Sequence, residues 1–501
     1  MRTSIIGYPR VGSLRELKFA TEKYFRKEIS SDKLQNTAKE IRKANWLTLK
    51  ASGLDFIPSN DFSFYDNMLD SAVLFNIVPS RYSSLNLSPL DTYFAMARGY
   101  QGERGDVKAL AMKKWFNTNY HYMVPEIDDQ TEIRLAGTKP FDEFEEAKAL
   151  NIATRPVITG AFTLLKLLRY TGSKTAEEYA GDVITAYSEL LIKLNHIGAE
   201  WVQFDEPYLV YDLTESDIAL FEKLYSSILS TKNKVKILLQ TYFGDIRDCY
   251  KNVSELDFDG IGLDFVEGKK TFELISENGF ADGKILFAGA VNGKNIWKNN
   301  YERTLDLTAR LKAKGIETVL STSCSLLHVP YTLKNETKLP QKYLAHFAFA
   351  EEKLLELAEL KLLSETDYTN ENLYKANIAL HQNRPDCNDP AVKKSVAAIK
   401  ESDFTRLPAF DEREKIQKKE FSLPLFPTTT IGSFPQTADV KANRTAFRKG
   451  SITEQEYIEF NRKKIAECVK MQEEIGLDVL VHGEFERADM VEYFGEQLNG
   501  Y

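Results

Sequence analysis

The sequence predicts an α/β protein: a (β/α)8 TIM-type barrel with a long insertion, a helical linker, and the first strands of a duplicated second barrel. Three observations predict this fold. Eight short apolar or β-branched runs occur in order, helical patterns separate most of them, and the opening segment recurs near the end of the chain. Because strands that alternate with helices form parallel βαβ units, eight such units predict a closed barrel.

The eight runs define the expected first domain, residues 1–342. They lie at residues 3–7, 54–58, 155–160, 201–205, 236–241, 260–264, 285–289 and 317–321. The interval between the second and third runs is far longer than a βα connection needs, so we expect an insertion near residues 61–150. It contains the string MKKWFNTNYHY at residues 112–122 and is expected to lie over the mouth of the barrel.

A helical linker is expected at residues 343–422. Residues 343–363 have the pattern of one long amphipathic helix, and residues 411–420 have that of a charged helix. The string LPLFP at residues 423–427 interrupts the helical pattern. We therefore expect the second domain to occupy residues 423–501.

The repeat has three matching blocks. The string IIGYPR at residues 5–10 returns as IGSFPQ at 431–436, GLDFI at 53–57 returns as GLDVL at 476–480, and Asn60, Asp61, Phe62 and Asp66 return as Gly483, Glu484, Phe485 and Asp489. A whole domain is therefore expected to have been duplicated. Since a (β/α)8 unit needs about 250 residues, residues 423–501 are expected to be the incomplete start of a second barrel.

Composition and charge exclude several classes of protein. The sequence has 65 Lys and Arg against 73 Asp and Glu, a net charge of -8, and no basic stripe, which argues against a nucleic-acid partner. No segment resembles a signal peptide or a membrane helix, so we expect a cytoplasmic protein without a membrane partner. The four cysteines form no C-x-x-C pair and are expected to be reduced thiols: Cys249, Cys324, Cys387 and Cys468.

Two strand ends of the first barrel carry side chains with possible chemistry. Asp205 and Glu206 follow the fourth run, and Cys324 and His328 follow the eighth. Zinc needs three or four convergent ligands, and the neighbouring strand ends supply no further thiol or imidazole, so no metal site is expected here. Asp205 and Glu206 have two interpretations: hydrogen bonds that fix a loop, or catalysis in an unrelated barrel lyase or hydrolase.

Four strings together carry a family resemblance. They are WFNTNYHY (115–122), SCSLLH (323–328), PTTTIGSFPQ (427–436), and VHGE (481–484) followed by DMVEYFGE (489–496). In this order they resemble the cobalamin-independent methionine synthases over the whole chain. Members of that family have two face-to-face (β/α)8 barrels joined by a helical linker, and the second barrel carries the chemistry. We also expect the complete protein to be monomeric.

The resemblance implies methionine biosynthesis by methyl transfer from 5-methyltetrahydrofolate polyglutamate to the sulfur of homocysteine. A thiol with a pKa of about 8.5 is mostly protonated at neutral pH, and zinc would deprotonate it. In the family, the zinc ligands and a proton-donating histidine lie beyond the second strand of the second barrel. We therefore expect no catalytic residue and no zinc within residues 1–501, and no activity of this chain alone; Cys468 and His482 are not expected to be zinc ligands.

The resemblance also implies substrate-binding residues. Ile431, Gly432 and Ser433 match the turn that holds the amino-acid end of homocysteine, and Glu484 matches the carboxylate that meets its ammonium group. A tight Gly-Ser turn leaves amide groups for a carboxylate, and a strand-end carboxylate can pair with an amine. The alternative is that Gly432 serves only the turn and that Glu484 forms only a surface ion pair.

The expected folate-contacting residues lie in the first domain. They are Arg15, Glu16, Leu17, Lys18 and Lys114. Arg15 and Lys18 are three residues apart, so we expect them on one helical face, where they could clamp a polyglutamate tail. The alternatives are an ordinary solvated start of a helix and, for the whole chain, a non-catalytic fragment that binds folate polyglutamate.

Overall fold

A computed structural model describes residues 1–383 and 389–498. The described residues form two compact units, one up to residue 383 and the other from residue 389. Among the described helices, none combines the length and the apolar character needed to cross a bilayer. Each unit has its own hydrophobic core.

Eight parallel strands form the barrel of the first unit, as the sequence predicts. We number them β1 to β8: Arg2–Thr3, Pro58–Ser59, Arg155–Thr159, Trp201–Asp205, Lys236–Gln240, Gly260–Asp264, Ile285–Val291 and Thr318–Thr322. The hydrogen-bonded order is β1-β8-β7-β6-β5-β4-β3-β2, and a parallel bridge between Ser4 and Phe56 joins the two ends. The strands therefore form a closed ring.

The seam between the first two strands is held by side-chain hydrogen bonds as well as by the backbone. The amides of Asp55 and Phe56 both donate to the carbonyl oxygen of Thr3 at 3.1 Å. The Asp55 carboxylate accepts from the Thr3 amide at 2.7 Å and from Lys361 Nζ at 2.7 Å. β1 and β2 are shorter than the apolar runs at residues 3–7 and 54–58 predict.

The barrel interior is layered. An apolar layer at its base contains Phe56, Trp201, Leu238, Phe287 and Val319. The buried Arg155 guanidinium lies over the rings of Phe56 and Phe287, 5.8 and 5.4 Å from their centroids, and donates to the Ser4 hydroxyl at 3.2 Å. Burial lowers the pKa of Arg155 to about 9, while the charges of Asp205 and Asp61 act in the opposite direction.

The insertion covers the C-terminal mouth of the barrel. Its hairpin pairs strand Met112–Lys114 with strand His121–Met123, and a second hairpin pairs Tyr100–Gly102 with Gly105–Val107. At the tip of the first hairpin, Asn117 donates to Glu267 at 2.7 Å and accepts from Lys294 at 2.9 Å. These bonds attach the tip to the loops that follow β6 and β7.

Helices surround the barrel and extend beyond it. In the first unit they are Glu16–Phe25, Ser31–Ala51, Asn67–Leu74, Ser80–Ser83, Pro89–Arg98, Lys139–Ala149, Ala161–Leu167, Ala176–His196, Glu215–Leu229, Tyr250–Glu255, Thr271–Asn278, Tyr301–Ala313, Gln341–Leu344, Ala350–Leu363 and Asn372–Gln382. In the second unit they are Pro390–Ala397, Phe410–Phe421, Ala438–Arg448, Glu454–Ile475 and Met490–Gly495.

The prediction of a single long helix at residues 343–363 is wrong. A short helix ends at Leu344, Phe347 forms a bridge with Trp297, and the amide of Ala348 donates to the carbonyl of Ile296. This pairing removes residues 347 and 348 from the helix, which begins again at Ala350. The second helix buries Ala350, Leu354, Leu357, Leu360 and Leu363 in the core of the first unit.

The second unit has a small core and little strand pairing. Val440, Cys468 and Phe485 are its buried hydrophobic residues. Of the two strands expected here, the structure forms one parallel bridge, between Ser433 and Gly483, in the described part of this unit. The hydrophobic side chains of Leu425, Phe426 and Ile431 are exposed, so few apolar contacts extend the pairing.

The hydrogen bonds at the start of each unit repeat one another. In the first unit the Asp55 carboxylate accepts from the Thr3 amide at 2.7 Å; in the second, the Asp478 carboxylate accepts from the Thr428 amide at 2.7 Å. The backbone also repeats. Asn60 and its counterpart Gly483 are both left-handed, with φ of 61° and 86°.

The helix that follows the second strand segment begins in the same way in both copies. Asp66 accepts from the Leu69 amide at 2.8 Å, and Asp489 accepts from the Glu492 amide at 2.8 Å. Each aspartate is the N-cap of its helix. The repeat in the sequence is therefore a repeat of local geometry.

Replacing Asp55 with alanine is expected to lower the free energy of unfolding of the first unit by about 2 kcal/mol, because the Thr3 amide and Lys361 lose their acceptor. All four tryptophans lie in the first unit, so tryptophan fluorescence during urea denaturation reports on that unit. Asp306→Ala is the control, since its pair with Arg310 is exposed and its loss should change the value by no more than about 0.5 kcal/mol. Equal effects of the two substitutions would show that Asp55 does not hold the seam.

Candidate functional site

A surface cavity in the second unit brings together part of the expected amino-acid site. Its wall is formed by Gly432, Val469, Leu480, Val481, His482 and Glu484. Gly432 and Glu484 lie in the two segments that meet at the Ser433–Gly483 bridge. The cavity therefore sits where the first two strand segments of the second copy end.

The turn at residues 431–433 has a geometry that depends on glycine. Gly432 has a φ of 124°, which side chains with a Cβ rarely adopt, and a Cβ there would lie 3.1 Å from Glu484 Oε1. The Ile431 side chain is fully exposed. Its contribution to a ligand site would therefore come from its backbone.

Glu484 is held by a hydrogen bond from one side chain and an ion pair with another. Its Oε2 accepts from the Ser433 hydroxyl at 2.5 Å, and its Oε1 lies 2.6 Å from Arg487 Nη2. These two neighbours, with a smaller effect of His482, lower the pKa of the Glu484 carboxyl. Glu484 is thus an ionised carboxylate at neutral pH, with its side chain about one quarter exposed.

The first copy arranges the corresponding residues differently. In the turn after β1, the amide of Tyr8 donates to Asp61 Oδ2 at 2.8 Å. In the second copy the Glu484 carboxylate takes the hydroxyl of Ser433 instead, and within residues 1–383 and 389–498 the Ser433 amide has no acceptor. An amide donor at the turn is therefore occupied in the first copy and free in the second.

The residues expected to contact folate lie on two elements of the first unit. The helix begins at Glu16, and Arg15 precedes it as a left-handed N-cap with a φ of 65°. Arg15 and Lys18 are therefore not on one helical face, contrary to our expectation. The reason is local: the Glu16 carboxylate turns back to accept from the Leu14 amide at 3.0 Å, and the chain enters the helix through a turn.

The side chains of this segment differ in accessibility. Leu17 is buried, so its side chain packs in the core. Lys18 is exposed and lies 3.9 Å from Glu22. Lys114 is exposed on the insertion hairpin, where it pairs across the ladder with His121. Arg15, Lys18 and Lys114 are thus open to solvent, and no hydrogen bond or ion pair joins them to one another in the described part of the chain.

Cys324 and His328 follow β8, the eighth strand of the barrel. Cys324 is buried, and burial raises the pKa of its thiol. His328 packs edge-on against the rings of Tyr120 and Phe243, and burial lowers its pKa to about 4. Among the described residues, no group of three or more His, Cys, Asp and Glu side chains could hold a metal ion.

The other cysteines agree with the sequence-based interpretation where the structure describes them. Cys249 and Cys468 are buried free thiols. Cys468 packs in the core of the second unit, 3.2 Å from Gln472 Nε2. Cys387 lies outside the described residues.

Glu206 is a structural group. It is fully buried, and its carboxylate accepts from the amides of Phe162 and Thr163 at 2.8 and 2.7 Å and from the Tyr225 hydroxyl at 2.5 Å. It thereby satisfies amide donors at the start of helix Ala161–Leu167. Burial raises its pKa to about 7, against the effect of these donors.

Asp205 lines the cavity at the mouth of the first barrel. Its two carboxylate oxygens accept from Gln203 Nε2 at 2.6 Å and from the Tyr242 hydroxyl at 3.1 Å. Burial raises its pKa to about 7. Asp205 and Glu206 therefore have different hydrogen-bond partners, and the two carboxylates do not form a catalytic pair.

Arg487 is the site residue that sequence reasoning missed. It lies three residues after Glu484, a spacing that brings its guanidinium to the carboxylate. The string E-x-x-R gives a weak signal, because such pairs are common on solvated surfaces. Only the closeness of Glu484 to the turn at residues 431–433 makes it informative.

The fold and this site define a class: a (β/α)8-barrel protein with a duplicated opening and a candidate site for an amino acid. Residues 2–315 match the family model described as "Cobalamin-independent synthase, N-terminal domain", and residues 426–501 match "Cobalamin-independent synthase, Catalytic domain". The chain belongs to the cobalamin-independent synthase family. The family resemblance carried by the four strings is thus confirmed.

Curated relatives match the whole chain. Proteins named "5-methyltetrahydropteroyltriglutamate--homocysteine methyltransferase" from Campylobacter jejuni subsp. doylei and Streptococcus gordonii are 56% and 52% identical over 501 residues. The chain spans 66% of the length of each relative. A solved structure titled as a putative vitamin-B12 independent methionine synthase from Listeria monocytogenes matches with a TM-score of 0.51 and 14% identity, covering 73% of this chain and 97% of that one. It supports the fold.

Glu206→Gln is expected to lower the free energy of unfolding of the first unit by about 2 kcal/mol, because an amide nitrogen would face backbone donors. Urea denaturation followed by tryptophan fluorescence measures it. Glu200→Gln is the matched control, since Glu200 is exposed and pairs only with Lys236 at 3.5 Å. If Glu206→Gln leaves the free energy of unfolding unchanged but abolishes an enzymatic reaction, the result would instead favour the interpretation of Asp205 and Glu206 as catalytic residues of a barrel lyase or hydrolase.

Proposed function

We propose that the protein carrying this chain transfers a methyl group from a 5-methyltetrahydropteroyl polyglutamate to the sulfur of homocysteine and so makes methionine. The observation that carries the proposal is identity above 50% over all 501 residues with proteins named for this reaction. The free turn amide beside the ionised Glu484 supports it. We further propose that the enzyme is cytoplasmic and monomeric.

The proposed role of the second unit is to hold the amino-acid end of homocysteine. The turn at Ile431, Gly432 and Ser433 would donate backbone amides to the substrate carboxylate. Glu484 would accept from the ammonium group, which suits a carboxylate that stays ionised at neutral pH. Both charged ends of the amino acid would then be bound, leaving the thiol to extend along the cavity.

Zinc is part of the proposal for the protein as a whole. When bound, it would hold the substrate sulfur as a thiolate, the form that attacks a methyl group. The described residues do not offer a ligand set for it. We propose that residues 1–501 contribute to substrate binding and orientation, with no catalytic residue among them.

The proposed role of the first unit is to bind the polyglutamate tail. Arg15, Lys18 and Lys114 are cationic and exposed. Repeated carboxylates suit a guanidinium fork and ammonium point charges. Glu16 and Leu17 would act through the backbone, since the Glu16 side chain bonds to the Leu14 amide and the Leu17 side chain is buried.

The first test is methyl transfer by the full-length gene product, assayed with zinc, homocysteine and 5-methyltetrahydropteroyl triglutamate in the absence of cobalamin. Glu484→Gln is expected to raise the KM for homocysteine about 100-fold, because a charged partner of the ammonium is lost. Glu473→Gln, on an exposed surface of helix Glu454–Ile475, is the control and should leave KM unchanged. If the unmodified enzyme forms no methionine, the proposed reaction is wrong.

The second test concerns the tail. Combined alanine substitutions at Arg15, Lys18 and Lys114 are expected to raise the KM for the triglutamate substrate about tenfold or more, with little change for the monoglutamate, because only the longer tail offers several carboxylates. Lys23→Ala, exposed at the other end of the same helix, is the control. Equal changes for the two substrates would mean that these residues do not bind the tail.

A further inference from the structure

We propose that Arg487 is a positioning residue that fixes the Glu484 carboxylate for the ammonium group of an amino-acid substrate. The proposal rests on the proposed function and adds to it a residue that the family motifs do not single out. It is carried by the contacts of Arg487, by its place relative to the cavity, and by the contrast between the two copies of the repeat.

Arg487 is itself held in place. Its Nη2 lies 2.6 Å from Glu484 Oε1, and its Nη1 lies 2.7 Å from Glu486 Oε1. Its guanidinium carbon is 5.9 Å from the centre of the Tyr493 ring, and its side chain is 14% exposed. Glu486 and the Tyr493 ring therefore hold the guanidinium independently of Glu484, so the guanidinium can set the direction of the Glu484 carboxylate.

Arg487 reaches Glu484 from behind the wall of the cavity. Glu484 lines the cavity and Arg487 does not. The other carboxylate oxygen, Oε2, is held by Ser433. Because a carboxylate oxygen can accept more than one hydrogen bond, both oxygens keep acceptor capacity for a ligand. Ser433 and Arg487 thus orient the carboxylate without filling the place of a ligand.

The first copy lacks this cation. Phe64 lies three residues after Asp61, where the second copy has Arg487 after Glu484. Burial raises the pKa of the Asp61 carboxyl, whereas Ser433 and Arg487 lower that of Glu484. Lys139 and Arg155 act on Asp61 only through their charge and do not outweigh burial, whereas in the second copy Arg487 contacts the Glu484 carboxylate directly.

The charged and titratable groups near Glu484 give the sign of a pH effect. They are Arg487 and, more weakly, the His482 imidazole; Glu486 lies beyond Arg487 and 3.7 Å from His482 Nδ1. A lowered pKa keeps Glu484 ionised as the pH falls through the usual range for glutamate. Without Arg487 the pKa rises, so the acid-side loss of ammonium binding should begin at a higher pH.

The test is calorimetric titration of the full-length protein with L-methionine between pH 4.5 and 7.5. Arg487→Gln is expected to weaken binding at neutral pH about tenfold and to move the acid limb of the pH profile to higher pH. Arg487→Lys should restore part of the affinity and part of the pH profile, since lysine keeps the positive charge but lacks the two-pronged guanidinium. Arg448→Gln, which removes the exposed pair with Glu492, is the matched control and should change neither.

A second measurement does not need the ligand. Titration of the Glu484 side-chain carboxyl by 13C NMR should give a higher pKa in Arg487→Gln than in the unmodified protein. If the unmodified protein binds methionine and Arg487→Gln binds it equally with the same pH profile, the inference is wrong and the proposed site stands. If the unmodified protein does not bind methionine, both are wrong. If the pKa of the Glu484 carboxyl is the same in Arg487→Gln as in the unmodified protein, the inference is also wrong. This holds even if Arg487→Gln binds methionine poorly because it folds poorly.

Discussion

The pairing of the first two strand segments in each copy is the constraint on which the barrel and the candidate site both depend. In the first unit, Asp55 takes the Thr3 amide and the bridge between Ser4 and Phe56 closes the ring. In the second unit, Asp478 does the same with Thr428. This register brings the carboxylate that ends the second segment, Asp61 or Glu484, to the turn that follows the first. The proposed site for a zwitterion would thus be a consequence of how the two segments pair.

The two copies show how small changes separate a structural carboxylate from one able to bind a ligand. Asp61 accepts from the turn amide of Tyr8, and desolvation raises the pKa of its carboxyl. Glu484 is one methylene longer, meets a hydroxyl instead of that amide, and gains a guanidinium at hydrogen-bond distance. The fold is shared, and the difference in chemistry comes from a few side chains.

Most of the barrel could be predicted from the sequence, because alternation of apolar runs with helical patterns depends on burial that every βαβ unit repeats. The exact ends of individual helices could not be predicted. The bond between Glu16 and the Leu14 amide excludes Arg15 from its helix, and the pairing of Phe347 with Trp297 divides the helix expected at 343–363. For the candidate site, the family motifs point to Glu484 and to the turn at residues 431–433. The contact between Arg487 and Glu484 could not be predicted, because the E-x-x-R spacing alone does not show that the two side chains meet.

The most direct test of this account is a crystal structure of the full-length protein with bound L-homocysteine. The account predicts the ammonium group within hydrogen-bond distance of Glu484, the substrate carboxylate at the amides of residues 431–433, and Arg487 still bonded to the far side of Glu484. Homocysteine bound elsewhere, with Glu484 and the turn unchanged and unoccupied, would contradict it.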